Sequence, residues 1–394
     1  MNAVPSLTEM LQQLIATPSI SSTLDELDTS NLAVIEKLEG WLDGLGFHTE
    51  VLPVEGHPGK ANLIATLGSG SGGLVLSGHT DTVPFDAGRW NHDPFKLTEH
   101  DQRFYGLGSC DMKGFFALAI EAARQFVGQP LQQPLIILAT ADEETSMSGA
   151  RALALAGKPK ARRAVIGEPT GLKPVYLHKG MMMERVRLTG RAGHSSNPAL
   201  GNNAMEAMHR LIAELLQFRQ ELQLQYQNDA FEVAVPTLNL GCIHGGDNPN
   251  RICGHCEMDF DLRPLPGMEL EAIRDQIKHR LAPIAADLGV KFEAESLFSG
   301  IPAFNNQPDS ELVRLAEKLT GKPAETVAFG TEAPFMQQLG MDTIVLGPGS
   351  IDQAHQPDEF LAFDQIQPTV ELLQQLIIDS CLSPQPAVQE EPRA

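Results

Sequence analysis

"PLIILATADEETSMSGA", residues 134–150, opens as an apolar run and closes on three consecutive carboxylates. Pro134 to Ala141 carries almost no polar side chain, so it reads as a short buried strand. Asp142, Glu143 and Glu144 follow where that strand leaves the core. Adjacent like charges repel, and burying them unpaired is costly. A chain that gathers anionic oxygen at the end of a core strand needs something to offset it.

The same texture continues on both sides. Ser6-Leu-Thr-Glu9 is a capping box, followed by Leu7, Met10, Leu11, Leu14 and Ile15 at helical spacing. A second helix is expected to run to about Leu45 and stop at Gly46. Strands are expected at Phe47–Val54, Ala61–Leu67 and Leu74–Gly78, then a helix from about Lys113 to Val127, a helix near Ala150 and the strand "RAVIGEP". Apolar strands alternating with helices predict an α/β fold, a mixed sheet with helices on both faces.

Near Gly180 the character changes. "MMMERVRLTG" alternates as a strand, Asn202 to about Tyr226 is a long amphipathic helix, and the strands "PTLNLGCI" and "RICGHCEMDFDLRP" follow. A helix from about Glu269 to Leu288 and the strand "VKFEAES" complete the order βαββαβ, a ferredoxin-like module. After about Phe298 the α/β texture returns, with a helix at Ser310–Thr320 and the apolar stretch "DTIVLGPGS". The expectation is a discontinuous catalytic domain, residues 1–180 and 297–382, carrying an inserted domain at 181–296. "SPQPAVQEEPRA", residues 383–394, reads as a solvated tail.

Bulk composition narrows the function. A length of 394 residues favours two domains. Fifty acidic against 29 basic side chains, a formal net charge of −21, argue against nucleic acid and against anionic membrane surfaces as partners. No apolar run approaches the roughly 20 residues that span a bilayer, and no basic, then apolar leader opens the chain. Five cysteines, an odd number, suit reduced thiols and a cytoplasmic address.

Open α/β sheets bind ligands at the carboxyl ends of their strands. Five such segments carry metal-capable side chains here: His79 and Asp81 in "LVLSGHTDTVPF", Asp111 in "YGLGSCDMKGFF", Glu143 and Glu144, Glu168 in "AVIGEP", and His355 in "GPGSIDQAHQPDEF". Singly, each has an ordinary reading. Asp111 could cap the helix after it, His79 could be a hydrogen-bonded core histidine, and Glu168-Pro could be a turn. Together, imidazole and carboxylate without thiolate suit zinc, cobalt or manganese. Divalent cations would neutralise the clustered carboxylates.

His79-Thr-Asp81, the Gly-x-Gly-x-x-Asp111-Met-Lys-Gly run, Glu143-Glu144, Gly-Glu168-Pro and Ala-His355-Gln-Pro-Asp resemble the aminoacylase/carboxypeptidase family of dinuclear metallohydrolases, over nearly the whole chain. The resemblance implies two divalent ions per subunit, zinc or else cobalt. Asp111 would bridge them, His79 and Glu168 would hold one, and Glu144 and His355 the other. It implies Glu143 as the base, with Asp81 orienting His79, and a cis peptide between Asp111 and Met112. It further implies a homodimer formed through the inserted domain, which doubles as a lid and brings His194, in "RAGHSSNP", to the partner's site. The substrate would be a small N-acyl amino acid, its carboxylate met by Arg251. Lys179 and Asn239 would assist, and Glu332, on charge grounds, would face a substrate ammonium.

One motif competes. Cys253-Gly-His-Cys256 has the form of a thiol–disulfide exchange motif, but such a motif should open a helix. Here it sits in a run that alternates as a strand. Cys242, His244, Cys253 and Cys256 could alternatively form a structural zinc site.

Overall fold

The structure, a computed structural model, describes residues 4–382. The expected tail at 383–394 lies outside the described residues. Two compact units are present. One takes the chain up to Tyr176, Asn306–Glu325 and the chain from Thr331 onward; the other takes Leu177–Asn305 and Thr326–Gly330.

The first unit is built on a mixed sheet. Seven of its strands lie in the order His48–Pro53, Ala61–Leu67, Leu135–Thr140, Leu74–His79, Arg163–Ile166, Asp342–Val345 and Val175–His178. The central four run parallel to one another, and the flanking strands are antiparallel. The opening stretch is therefore a central strand, Leu135–Thr140, buried at all six positions. Leu74, Leu76, Leu135, Ile137 and Val165 join one apolar cluster with the helices Leu7–Ile15, Leu32–Gly44, Lys113–Arg124 and Ile366–Ile377. The alternate side chains Val75, Ile136, Leu138, Ala164 and Ile166 are buried outside that cluster. Helix Ala333–Gln338 packs on strand Asp342–Val345 and on helix Ser148–Ala156. Parallel strands share one carboxyl edge, so His79, the turn after Thr140, Glu168 and the chain beyond Val345 leave the sheet on the same side. The capping box at Ser6 forms, with Glu9 reaching back to the Ser6 N–H.

The second unit is the ferredoxin-like βαββαβ module, made of Met182–Thr189, Ala204–Gln225, Thr237–Gly245, His255–Arg263, Leu270–Asp287 and Lys291–Ser296. Its four-stranded antiparallel sheet runs Thr237–Gly245, His255–Arg263, Met182–Thr189, Lys291–Ser296. Val186, Leu188, Met258 and Phe260 are buried, while Arg185 pairs with Asp259 and Arg187 with Glu257 across the strands. The sequence reading places the division at residues 180 and 297; the units divide at 176 and 305 instead. Thr326–Gly330 also joins the second unit, a short return that no periodicity signals; the Thr326 hydroxyl donates to the Ala230 carbonyl there at 2.7 Å. Among the described residues no helix is long and apolar enough to cross a membrane.

The edge of the first sheet is tightly filled. A methyl group at Gly167, the residue before Glu168, would lie 2.3–2.4 Å from Phe115 ring atoms. Gly167→Ala is therefore expected to destabilise the fold by about 1–3 kcal/mol, the usual cost of overpacking. Thermal melting measures this, and a wild-type melting temperature would mean the Phe115 ring can move aside.

Candidate metal centre

His79 ends its strand almost fully buried, and its two ring nitrogens do different work. Nδ1 lies 3.0 Å from the backbone carbonyl of Asp81. A carbonyl can only accept, so Nδ1 carries a proton, and Nε2 is the nitrogen that would offer its lone pair to a metal. Nε2 faces Asp111 Oδ1 at 3.1 Å and Glu168 Oε1 at 3.8 Å. The Asp81 carboxylate is expected to be the acceptor for His79, yet it stands farther off, at 3.6 Å. It accepts instead from the backbone N–H groups of Glu143, at 3.2 Å, and Glu144, at 3.0 Å. Asp81 thus orients His79 through its carbonyl and the glutamate turn through its side chain.

Glu143 and Glu144 do not continue the strand; they lie in a turn. Asp142 turns the chain with a left-handed backbone, φ 57°, and its carboxylate is fixed by Lys60 at 2.8 Å and by the hydroxyls of Ser21 and Ser148. Lys60 also pairs with Asp28 at 2.8 Å. Glu144 Oε2 meets His355 Nε2 at 3.0 Å, and Asp111 Oδ2 lies 3.7 Å from the same nitrogen. The peptide between Asp111 and Met112 is cis, as the resemblance implies.

All six side chains therefore converge. Ligand atoms of His79, Asp111 and Glu144 lie within 4.8 Å of one another, and so do those of His79, Glu143 and Glu168. Glu143 is thus as close to a metal-binding position as Glu144, and distance alone does not divide their roles. Burial, then the neighbouring Glu168 carboxylate, pushes the Glu143 carboxyl well above its ordinary range. Burial and Asp111 do the same to Glu168, whose Oε1 is buried without a hydrogen-bond donor. Carboxylate oxygen, imidazole lone pairs and a donorless buried oxygen fit a divalent cation of the zinc, cobalt or manganese type.

The other expected residues fall differently. Glu332 is fully buried; its Oε2 accepts from the Thr140 hydroxyl at 2.8 Å and its Oε1 has no partner. A carboxylate with no exposed surface does not meet a substrate ammonium in this conformation. Burial pushes its pKa up to about 7. In the second unit, Lys179 is 2% exposed and its ammonium donates to the carbonyls of Val233 and Val235, both at 2.7 Å. It holds that segment and has little capacity left for a substrate. Asn239 is exposed on the strand Thr237–Gly245. His194 and Arg251 are backbone neighbours in an antiparallel bridge, both exposed, with Arg251 paired to Asp247. His194 Nδ1 accepts the Ser196 N–H at 3.2 Å, which leaves the proton on Nε2.

The thiol readings fail on burial and placement. Cys256 is buried in the strand His255–Arg263, and burial raises its pKa to about 11, the opposite of an exchange thiol. Among the described residues, Cys242, His244, Cys253 and Cys256 do not come together as a metal-capable group.

The sequence pattern of peptidase family M20/M25/M40 matches residues 75–379. The acetylornithine deacetylase of Pasteurella multocida (strain Pm70) is 51% identical over 381 residues, 97% of this chain and 100% of that one. The chain belongs to peptidase family M20/M25/M40. Aminopeptidase PepT from Bacillus cereus shares the fold with a TM-score of 0.74 at 21% identity, covering 94% of this chain and 97% of that one. The YXEP protein of Bacillus subtilis, described as a dinuclear metal binding peptidase from the M20 family, does so at 0.67 and 16% identity, covering 95% and 96%. Every metal-capable residue of the centre lies within the matched stretch.

Sequence reasoning missed the supporting residues. Lys60, Asp142 and Glu359 act on backbone and on one another, and no spacing rule marks them. The crowding itself gives a test. Reloading metal-stripped protein with zinc at about a hundredfold excess over Kd is expected to add about 2.7 kcal/mol of stability per independent site. Calorimetric melting with and without chelator measures it; coincident melts would mean the cluster holds no ion.

Proposed function

We propose that this chain is a metal-dependent amide hydrolase that removes the acetyl group from N2-acetyl-L-ornithine, giving L-ornithine and acetate. The observation that carries the reading is 51% identity to an acetylornithine deacetylase across 97% of the chain. His79 and Glu168 would hold one divalent ion, Glu144 and His355 the other, with Asp111 shared, and zinc or cobalt suits the N/O set. When bound, the ions supply Lewis acidity to the amide carbonyl and lower the pKa of water.

The chain's own residues do the rest. Glu143 takes a proton from water, hydroxide adds to the acetyl carbon, and Glu143 returns the proton to the leaving nitrogen as the C–N bond breaks. Asp81 holds the Glu143 backbone and the His79 tautomer while this happens. Arg251, exposed beside His194, would receive the substrate carboxylate in two parallel hydrogen bonds once released from Asp247. Release of free amine from a panel of N-acyl amino acids tests the substrate. Acetylornithine is expected to lead, ahead of N-acetylcitrulline, succinyl-diaminopimelate and dipeptides. Glu143→Ala is expected to keep its metal by elemental analysis and to lose about a hundredfold or more in kcat. Loss of the metal together with activity would make Glu143 a ligand instead.

We further infer that the protein works in the cytoplasm as a homodimer joined through the second unit. The support is an open sheet edge: among the described residues Thr237–Gly245 borders no further strand, and residues 241–250 are all exposed. His194, protonated at Nε2, would then act on the partner's site as an oxyanion donor. Mixing inactive Glu143→Ala with inactive His194→Ala subunits is expected to restore up to about half the wild-type activity per mixed dimer, because one of two sites regains both groups. Confirmed subunit exchange without recovery would place His194 outside the partner's reaction.

A further inference from the structure

Glu359 lies four residues beyond His355, 1% exposed, and takes no part in the chemistry described so far. Its carboxylate is enclosed by backbone. Oε1 accepts the N–H groups of Cys110 at 2.7 Å and Asp111 at 2.8 Å, and Oε2 accepts that of Gly108 at 3.0 Å. Its own carbonyl accepts the Gly106 N–H at 3.0 Å and the Ser109 hydroxyl at 3.4 Å. Successive N–H groups turned toward one point form a concave anion site, and here the anion comes from the same chain.

This explains the Gly-x-Gly-x-x-Asp spacing. Gly108 sits at φ +82°, and a Cβ there would meet Lys113 Cε at 2.7 Å and Thr82 Cγ2 at 3.0 Å. Only glycine lets the loop curl so that three N–H groups face one carboxylate. The last of the three belongs to Asp111 itself. Through Glu359, the segment that carries His355 is therefore bonded to the loop that carries Asp111.

We propose that Glu359 is a positioning residue for metal binding: it fills the Gly106–Asp111 backbone nest and so sets the Asp111 carboxylate against His79 and His355. The inference rests on the reading that Asp111 and His355 hold divalent ions. An amide cannot replace the carboxylate. Both oxygens accept, so a glutamine places its NH2 donor against at least one backbone N–H. Asp358 provides the contrast, since its carboxylate serves Asn91 and His92 instead.

The test is zinc affinity by competition with a chromogenic chelator, on full-length wild type, Glu359→Gln, Glu359→Asp and Asp358→Asn. Glu359→Gln is expected to weaken at least one of two ions by about tenfold or more, the order of loss usual for groups that orient metal ligands. Glu359→Asp should fall between it and wild type, and Asp358→Asn should stay near wild type. Two ions held by Glu359→Gln at wild-type affinity would overturn the proposal. So would an equal loss in Asp358→Asn, which would mean general anchoring of the segment. If Glu359→Gln does not fold, Glu359→Asp decides: its shorter reach should weaken zinc while its melting in chelator stays near wild type, and unchanged affinity overturns the proposal. A wild-type chain that binds no divalent ion overturns both this inference and the functional reading beneath it.

Discussion

Carboxylate crowding at the carboxyl edge of four parallel strands in a mixed sheet is the constraint on which the first unit depends. Asp111, the adjacent pair Glu143 and Glu144, and Glu168 come from three separate segments and arrive together with His79 and His355. Four anions at such spacing are unfavourable in a low-dielectric surrounding unless cations or protons join them. The fold makes the crowding unavoidable. Parallel strands end on one side, each strand is buried on both faces, and the only outlet for a polar side chain is the strand end.

Holding such a cluster in place calls for rigid support, and the support is again carboxylate. Asp81 receives the Glu143 and Glu144 N–H groups, Asp142 is gripped by Lys60 and two hydroxyls, and Glu359 receives three N–H groups from the Asp111 loop. Each of these anions is turned away from the cluster and satisfied by donors, mostly backbone. That is the arrangement a buried charge requires to be tolerated. It also fixes the ligand-bearing turns through main chain rather than through the ligands themselves, which leaves the ligand oxygens free for cations.

Much of this was legible in the sequence, for reasons that differ by element. Leu135–Thr140 announces itself because burial on both faces demands an uninterrupted apolar run, and the βαββαβ module because its strands alternate. The five ligand segments are legible jointly, since imidazole and carboxylate at repeated strand ends have few other uses. Burial of Glu332 and Lys179 was not legible. Both carry charge, and only tertiary packing reveals that one Glu332 oxygen is taken up by Thr140 and the Lys179 ammonium by the Val233 and Val235 carbonyls. The unit boundary near Tyr176 was likewise hidden, because Val175–His178 is one continuous strand with no change of texture at the division.

The second unit shows the opposite electrostatic habit. Its charges are paired across strands, Arg185 with Asp259 and Arg187 with Glu257, on a half-exposed face where such pairs contribute little to stability. Against that background His194 stands out by its hydrogen bonding rather than by its charge. The Ser196 N–H fixes the acceptor nitrogen, so the other nitrogen is a donor whenever the ring is neutral. Arg251, bridged to the same backbone, carries N–H groups that only donate. One unit therefore presents adjacent hydrogen-bond donors on exposed backbone, while the other presents acceptors and acidic oxygen at a sheet edge. A cluster of ionised strand-end carboxylates can only accept, so the two units carry opposite hydrogen-bonding chemistry.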